Sequence, residues 1–248
     1  MGSSPQPAPS AGEVGAVFTK SLSLYFARFT DYILYPVVVL LPAYFVCSLL
    51  GVLTRGSVVG RLQSGDLGAV GTAVGQGLLV VLLTGFIQWA ACGLALGAVG
   101  KATAAQLEGK TLKLGQTFAA LPIRALVATS ALFGAAASLG SALLLLPGLA
   151  VWFFFCLAPL YTALDGQGAV SAFSRSAAAV LKVPAEVAVV LVVFIVYVLV
   201  AAMLVTPLAL LGGGVVGSLL SGALVSLAVP WVAVALTLCY DRARQLGA

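Results

Sequence analysis

The chain has 248 residues, of which 62% are hydrophobic and only 8% charged, with a net charge of +5 and no histidine. Soluble domains carry about 25% charged residues, and no water-soluble fold of this length hides so much apolar surface. The missing histidine removes the commonest general base, the commonest zinc ligand and every Ser-His triad.

In chain order, residues 1–14 form a Pro/Ser-rich tail expected to be disordered. One membrane domain is expected over residues 15–244, followed by a short tail at 245–248. The first uncharged run, Tyr32–Thr54, predicts a span near Tyr32–Leu53, and Leu67–Gly100 predicts one near Val74–Val99. A helix needs roughly 20 apolar residues to cross about 30 Å of hydrocarbon, so Ala125–Leu164 is too long for one span. Pro147-Gly148 predicts a tight turn that divides it into Leu126–Leu146 and Ala150–Leu164. The uncharged stretch between Glu186 and Asp241 divides at Gly212-Gly213-Gly214 into Val187–Leu211 and Val216–Tyr240. Period-2 alternation is absent, so the expected fold is all-α: a polytopic bundle of about six transmembrane helices.

Each pair of spans follows a mildly polar stretch with helical character: Gly15–Phe29, Gly109–Leu121 and Gly168–Val183. Gly15-Ala16-Val17 matches Gly168-Ala169-Val170, and Ser21 and Ser23 align with Ser174 and Ser176. The pattern suggests an interfacial helix plus a hairpin, repeated three times. The alternative is that these are ordinary connections with helical propensity.

Placing both termini in the cytoplasm puts Lys20, Arg28, Lys101, Lys110, Lys113, Arg124, Arg175, Lys182, Arg242 and Arg244 inside, and only Arg55 and Arg61 outside. That asymmetry is the positive-inside signature. The basic residues end apolar spans instead of forming a cluster, which argues against a nucleic-acid partner and for anionic headgroups. Cys47, Cys92, Cys156 and Cys239 form no CxxC pair and read as buried thiols.

Chemistry is sparse. The seven carboxylates, Glu13, Asp31, Asp66, Glu108, Asp165, Glu186 and Asp241, sit near membrane boundaries or in loops, and none is placed mid-span. No metal or cofactor is expected, and the chain reads as non-enzymatic. Gln88 is the one strongly polar side chain deep in a span. It reads either as an intramembrane contact on a substrate path or, preferred here, as an interhelical hydrogen bond. Prolines 36, 42, 159, 207 and 230 fall within or near spans and predict kinks. Gly71/Gly75 and Gly93/Gly97 keep the four-residue spacing that lets helix backbones approach, within this bundle or against a partner's helix.

The string from Trp152 through Asp165-Gly166, followed by Gly168, Ala172, Arg175 and Ser176, resembles a bacterial membrane family. It is similar to the membrane domain attached to some glycerophosphoryl diester phosphodiesterases and to the YciC-type integral membrane proteins. Pro147-Gly148 and the closing Tyr240-Asp241-Arg242 look similar as well. Two departures are plain: Ala177 stands where an aromatic residue often follows, and the catalytic phosphodiesterase domain has no counterpart here. The resemblance therefore implies a stand-alone module of a bacterial inner membrane, without hydrolase activity.

Asp165 and Arg175 are a candidate structural pair. Lys110, Lys113, Arg175 and Lys182 are candidate contacts to anionic lipid or a partner. The expected function is a membrane scaffold or accessory module whose partners are lipids and other membrane proteins. The alternative is a small transporter or lipid-translocating channel using Gln88 and the kinked spans.

Overall fold

A computed structural model describes residues 11–247 apart from 64–66 and 144; for residues 11–13, 55–58, 60, 62, 67, 141–143, 145, 208–214 and 218 it describes the helix but not the side chain. Of the disordered tail expected over residues 1–14, residues 1–10 lie outside the described residues, as does the carboxylate of Asp66, whereas residues 11–14 are helical and open the first element. Every regular element among the described residues is a helix.

The elements are α1 (Ala11–Ala27), α2 (Phe29–Gln63), α3 (Leu67–Leu107), α4 (Leu114–Ala119), α5 (Ile123–Leu143), α6 (Leu145–Phe155), α7 (Ala158–Asp165), α8 (Ala169–Val180) and α9 (Pro184–Gln245). Six stretches are long and apolar enough to cross a membrane: Phe29–Thr54, Gly68–Leu107, Ile123–Gly140, Leu146–Asp165, Pro184–Pro207 and Val215–Gln245. Large apolar side chains on them, such as Leu53, Val81, Leu199 and Met203, point away from the protein. Only lipid can cover such a surface without a large cost. The chain is a multi-pass α-helical membrane protein.

Pro184–Gln245 is assigned as one helical element, α9, yet it doubles back. The Tyr197 hydroxyl donates to the Leu224 carbonyl at 2.6 Å. In a straight helix those residues would stand about 40 Å apart. The reversal falls between Pro207 and Val215, giving two antiparallel arms.

The middle hairpin corrects one expectation. Pro147-Gly148 is not itself the turn; it lies in the first turn of α6, while residue 144, between α5 and α6, is outside the described residues. Proline is tolerated there because a helix's first N–H groups have no intrahelical partner. Gly148 instead lies in close contact with Gly140, where a Cβ would meet its backbone at 3.0 Å.

Further along, Pro159 cannot donate to Phe155 and crowds its carbonyl, so the span breaks between α6 and α7. Ser176 of α8 bridges the gap. Its hydroxyl donates to the Phe154 carbonyl (2.8 Å) and accepts from the Leu157 N–H (3.2 Å).

A short helix thus precedes each hairpin: α1 before α2–α3, α4 before α5–α7, and α8 before the arms of α9. Each plants a fully buried hydroxyl (Ser21, Thr117, Ser176) against a different hairpin. Ser21 accepts from the Trp231 indole of α9 at 3.1 Å, and Tyr25 of α1 donates to the Leu227 carbonyl. Thr117 bonds the Tyr35 hydroxyl of α2 at 3.1 Å, while Ser176 holds the α6–α7 break. Every short helix therefore docks on the unit before its own, and α1 on the last, so the contacts close a cycle.

The core fills the end of the bundle that carries Asp165 and Arg244. There α7 and the Trp231–Tyr240 stretch of α9 are buried against Ala98–Ala102 of α3. At the other end, exposed aliphatic side chains dominate α2, α3 and the first arm of α9.

Candidate functional site

Two cavities at different depths collect the polar groups that the sequence singles out. The first lies at the basic end. It measures about 530 Å³, and its wall includes Lys101, Glu108, Lys110, Asp165, Tyr240 and Arg244. Asp165 is placed by the end of α7, where Gly166 adopts φ 68° and its N–H returns to the Thr162 carbonyl. That left-handed cap suits glycine, which has no Cβ to clash.

The Asp165 carboxylate accepts from the Tyr240 hydroxyl at 2.7 Å, its tightest contact. Arg244 approaches the same oxygen at 3.9 Å and donates to the Tyr240 hydroxyl at 3.3 Å, with its guanidinium 5.6 Å from the Tyr240 ring centre. Arg175 stands 3.9 Å from the second oxygen. At such distances the arginines act as nearby charges, not as bidentate hydrogen-bond partners. Tyr240 is the residue that fixes the carboxylate.

Lys110 pairs with Glu108 at 2.8 Å on the surface, and this hydrogen bond holds the Glu108 carboxyl below its ordinary range. Lys101 makes no ion pair among the described residues, although it lies close enough to Glu108 to act on it. The cavity thus presents cations and carboxylates together, with one cation not closely matched.

The four basic residues expected to act together do not share one site. Lys110 and Arg175 stand beside Asp165. Lys113 begins α4, where its N–H donates to the Gln116 side chain, and lines a separate 260 Å³ hollow with Arg28, Asp31 and Tyr35. Lys182 donates to the Leu246 carbonyl at 3.2 Å.

A buried ion pair went unread in the sequence. Glu186, in the first turn of α9, has a side chain 1% exposed and lies 3.2 Å from Arg242 Nε without hydrogen-bond alignment. The signal was available: an acid opening one arm of a hairpin and a base closing the other.

The second cavity is a cleft of about 360 Å³ between α3 and α9, floored by α6. Gln88 and Trp89 of α3, Trp152 of α6, and Phe194 and Val198 of α9 line it, with Tyr44 of α2 at one side. Trp89 and Trp152 meet edge to face at 5.2 Å, and Trp152 stacks on Phe194 at 6.0 Å and 30°. The interhelical hydrogen bond expected of Gln88 is not made: Gln88 lines the cleft and has no hydrogen-bond partner among the described residues.

The glycine spacing resolves in two ways. Gly93 and Gly97 pack within the bundle against Ser130 and Leu126 of α5, whereas a Cβ on Gly71 or Gly75 would meet nothing within 4 Å. The chain matches no protein-family model, no curated protein and no solved structure.

Proposed function

We propose that the protein is a non-catalytic module of a bacterial inner membrane, with both termini cytoplasmic, that holds phospholipid headgroups at its basic end. The observation that carries this reading is the mixed-charge cavity around Asp165. Lys101 and Lys110 offer ammonium groups to a phosphate, while Glu108 and Asp241 offer carboxylates to a headgroup amine. A zwitterionic headgroup satisfies both signs. Exposed Phe26, Val170 and Leu181 on and beside the short helices α1 and α8 support a lipid-water boundary at the same level. The sequence resemblance to the YciC-type proteins agrees with a membrane module. The absence of histidine and the dispersal of the carboxylates favour a scaffold or accessory role over an enzyme.

Native mass spectrometry of the gently extracted protein tests the reading. The wild type is expected to retain phospholipid in stoichiometric amount, and Lys101→Ala/Lys110→Ala to retain several-fold less at unchanged melting temperature. Equal retention by both proteins, or none by the wild type, would sink it.

A further inference from the structure

The middle hairpin is short. Its first helix, α5, has 21 residues and its second side, α6–α7, covers Leu145–Asp165, against 35 and 41 residues for α2 and α3 and 62 for the two arms of α9 together. At about 1.5 Å per residue it reaches roughly 32 Å, while α3 and α9 continue past its turn. The cleft occupies the space so left, resting on the first turns of α6 through Gly148, Leu149 and Trp152.

Gln88 lies far from either end of its span. Thirteen residues separate it from Lys101, about 19 Å along the helix, and twelve separate it from Gln76, about 18 Å. At that depth no bulk water reaches the amide, and an unsatisfied polar group costs several kcal/mol. A phospholipid acyl chain would fill the apolar volume and leave the amide bare. The occupant that suits this wall carries a hydrogen-bonding group into the hydrocarbon layer, and it is flat enough to lie among Trp89, Trp152 and Phe194.

We propose that the Gln88 cleft binds the ring of an isoprenoid quinone. A quinone carbonyl accepts from the Gln88 Nε2–H, and the hydroxyl of the reduced ring donates to its Oε1, so one amide serves either form. The indole and phenyl faces supply offset or edge contacts to the ring, each worth about 0.5–1.5 kcal/mol beyond area burial. A volume of about 360 Å³ takes the ring and the start of its tail. The remaining tail leaves past Val198 and Leu199, which already face lipid. The cleft is distinct from the basic-end cavity in both residues and depth, so either proposal can fail without the other.

Tryptophan quenching reads this site directly, because two of the three tryptophans line it. Trp231 is buried elsewhere against Ser21 and reports non-specific partitioning. A decyl-substituted benzoquinone titrated into nanodisc-embedded protein is expected to quench saturably, with an apparent Kd about tenfold weaker in Gln88→Leu. Removing an unpartnered amide should leave folding intact. Leu199→Trp, at the exposed rim, gives a second variant that should block entry. Linear quenching that matches a Trp89→Phe/Trp152→Phe protein would overturn the proposal, as would a Kd unmoved by both substitutions. Displacement of the quinone by brominated phosphatidylcholine at equal mole fraction would overturn it too, by assigning the cleft to an acyl chain.

Discussion

Gly93 offers the sharpest test of how α3 meets α5. A Cβ built there would overlap both Oγ and Cβ of Ser130 and lie 3.6 Å from its Cα. Rotating the hydroxyl away would cost its 2.7 Å hydrogen bond to the Leu126 carbonyl and still leave the two β-carbons overlapping. Carbon atoms rest at about 3.5–4.0 Å, so α3 and α5 must separate by ~1 Å or more. That movement also loosens the next contact along, where Gly97 sits under Leu126, and the one before it, where Gly134 faces Trp89.

Overpacking of this kind costs about 1–3 kcal/mol. On the scale of soluble domains of similar length, each kcal/mol lowers Tm by roughly 2–4 °C. Gly93→Ala is therefore expected to melt about 2–12 °C below wild type in detergent. Gly75→Ala, built into open space, should melt unchanged or slightly higher, because alanine is the better helix former by ~1 kcal/mol. Ser130→Gly combined with Gly93→Ala should recover part of the loss by removing the obstructing Cβ. Equal melting of Gly93→Ala and Gly75→Ala would refute the close approach of the two helices.

Four further substitutions probe the polar ties. Ser176→Ala takes away the acceptor of the Leu157 N–H and the donor to the Phe154 carbonyl, and should cost about 1–3 kcal/mol, while Ser174→Ala on the exposed side of α8 should change nothing measurable by thermal melting. Arg242→Ala strands the Glu186 carboxylate in the core and should cost about 3 kcal/mol. Glu186→Gln should be milder, because Arg242, 27% exposed, still reaches water. Chemical denaturation would rank the two, and a costlier Glu186→Gln would contradict the assignment.

Much of the architecture was legible because a bilayer imposes a length rule that uncharged runs display openly. All six spans appear where those runs lie, and three short helices precede the three hairpins. Misreading Pro147-Gly148 as a turn has a specific cause: proline looks the same in sequence whether it ends a helix or begins one. The break before Pro159 was visible as a kink, but the serine that bridges it lies nineteen residues beyond Leu157 on another helix. Similarly, Asp165 was read against Arg175, its near neighbour in sequence, while its closest partner is Tyr240, which only the tertiary fold brings near. Basic residues carry no mark of which will share a cavity, so Lys113 and Lys182 were grouped with Lys110 and Arg175 although they lie apart.

The Gln88 cleft follows from lengths the sequence already holds. The second hairpin is built from forty uncharged residues, Ala125–Leu164, and the third from fifty-four between Glu186 and Asp241. With the basic ends of all three hairpins tied together by Ser21, Thr117 and Ser176, the shortfall can appear only at the opposite end. There the α5–α6 turn stops short while α3 and α9 continue, and the cleft lies between α3, α6 and α9 with Gln88 in its wall. Lengthening the second hairpin would therefore close the cleft without touching the basic-end cavity, whose walls are set by the tied ends. A polar side chain in the middle of a span usually buries itself against a neighbouring helix. Here Gln88 lines the cleft between α3, α6 and α9 with no hydrogen-bond partner among the described residues.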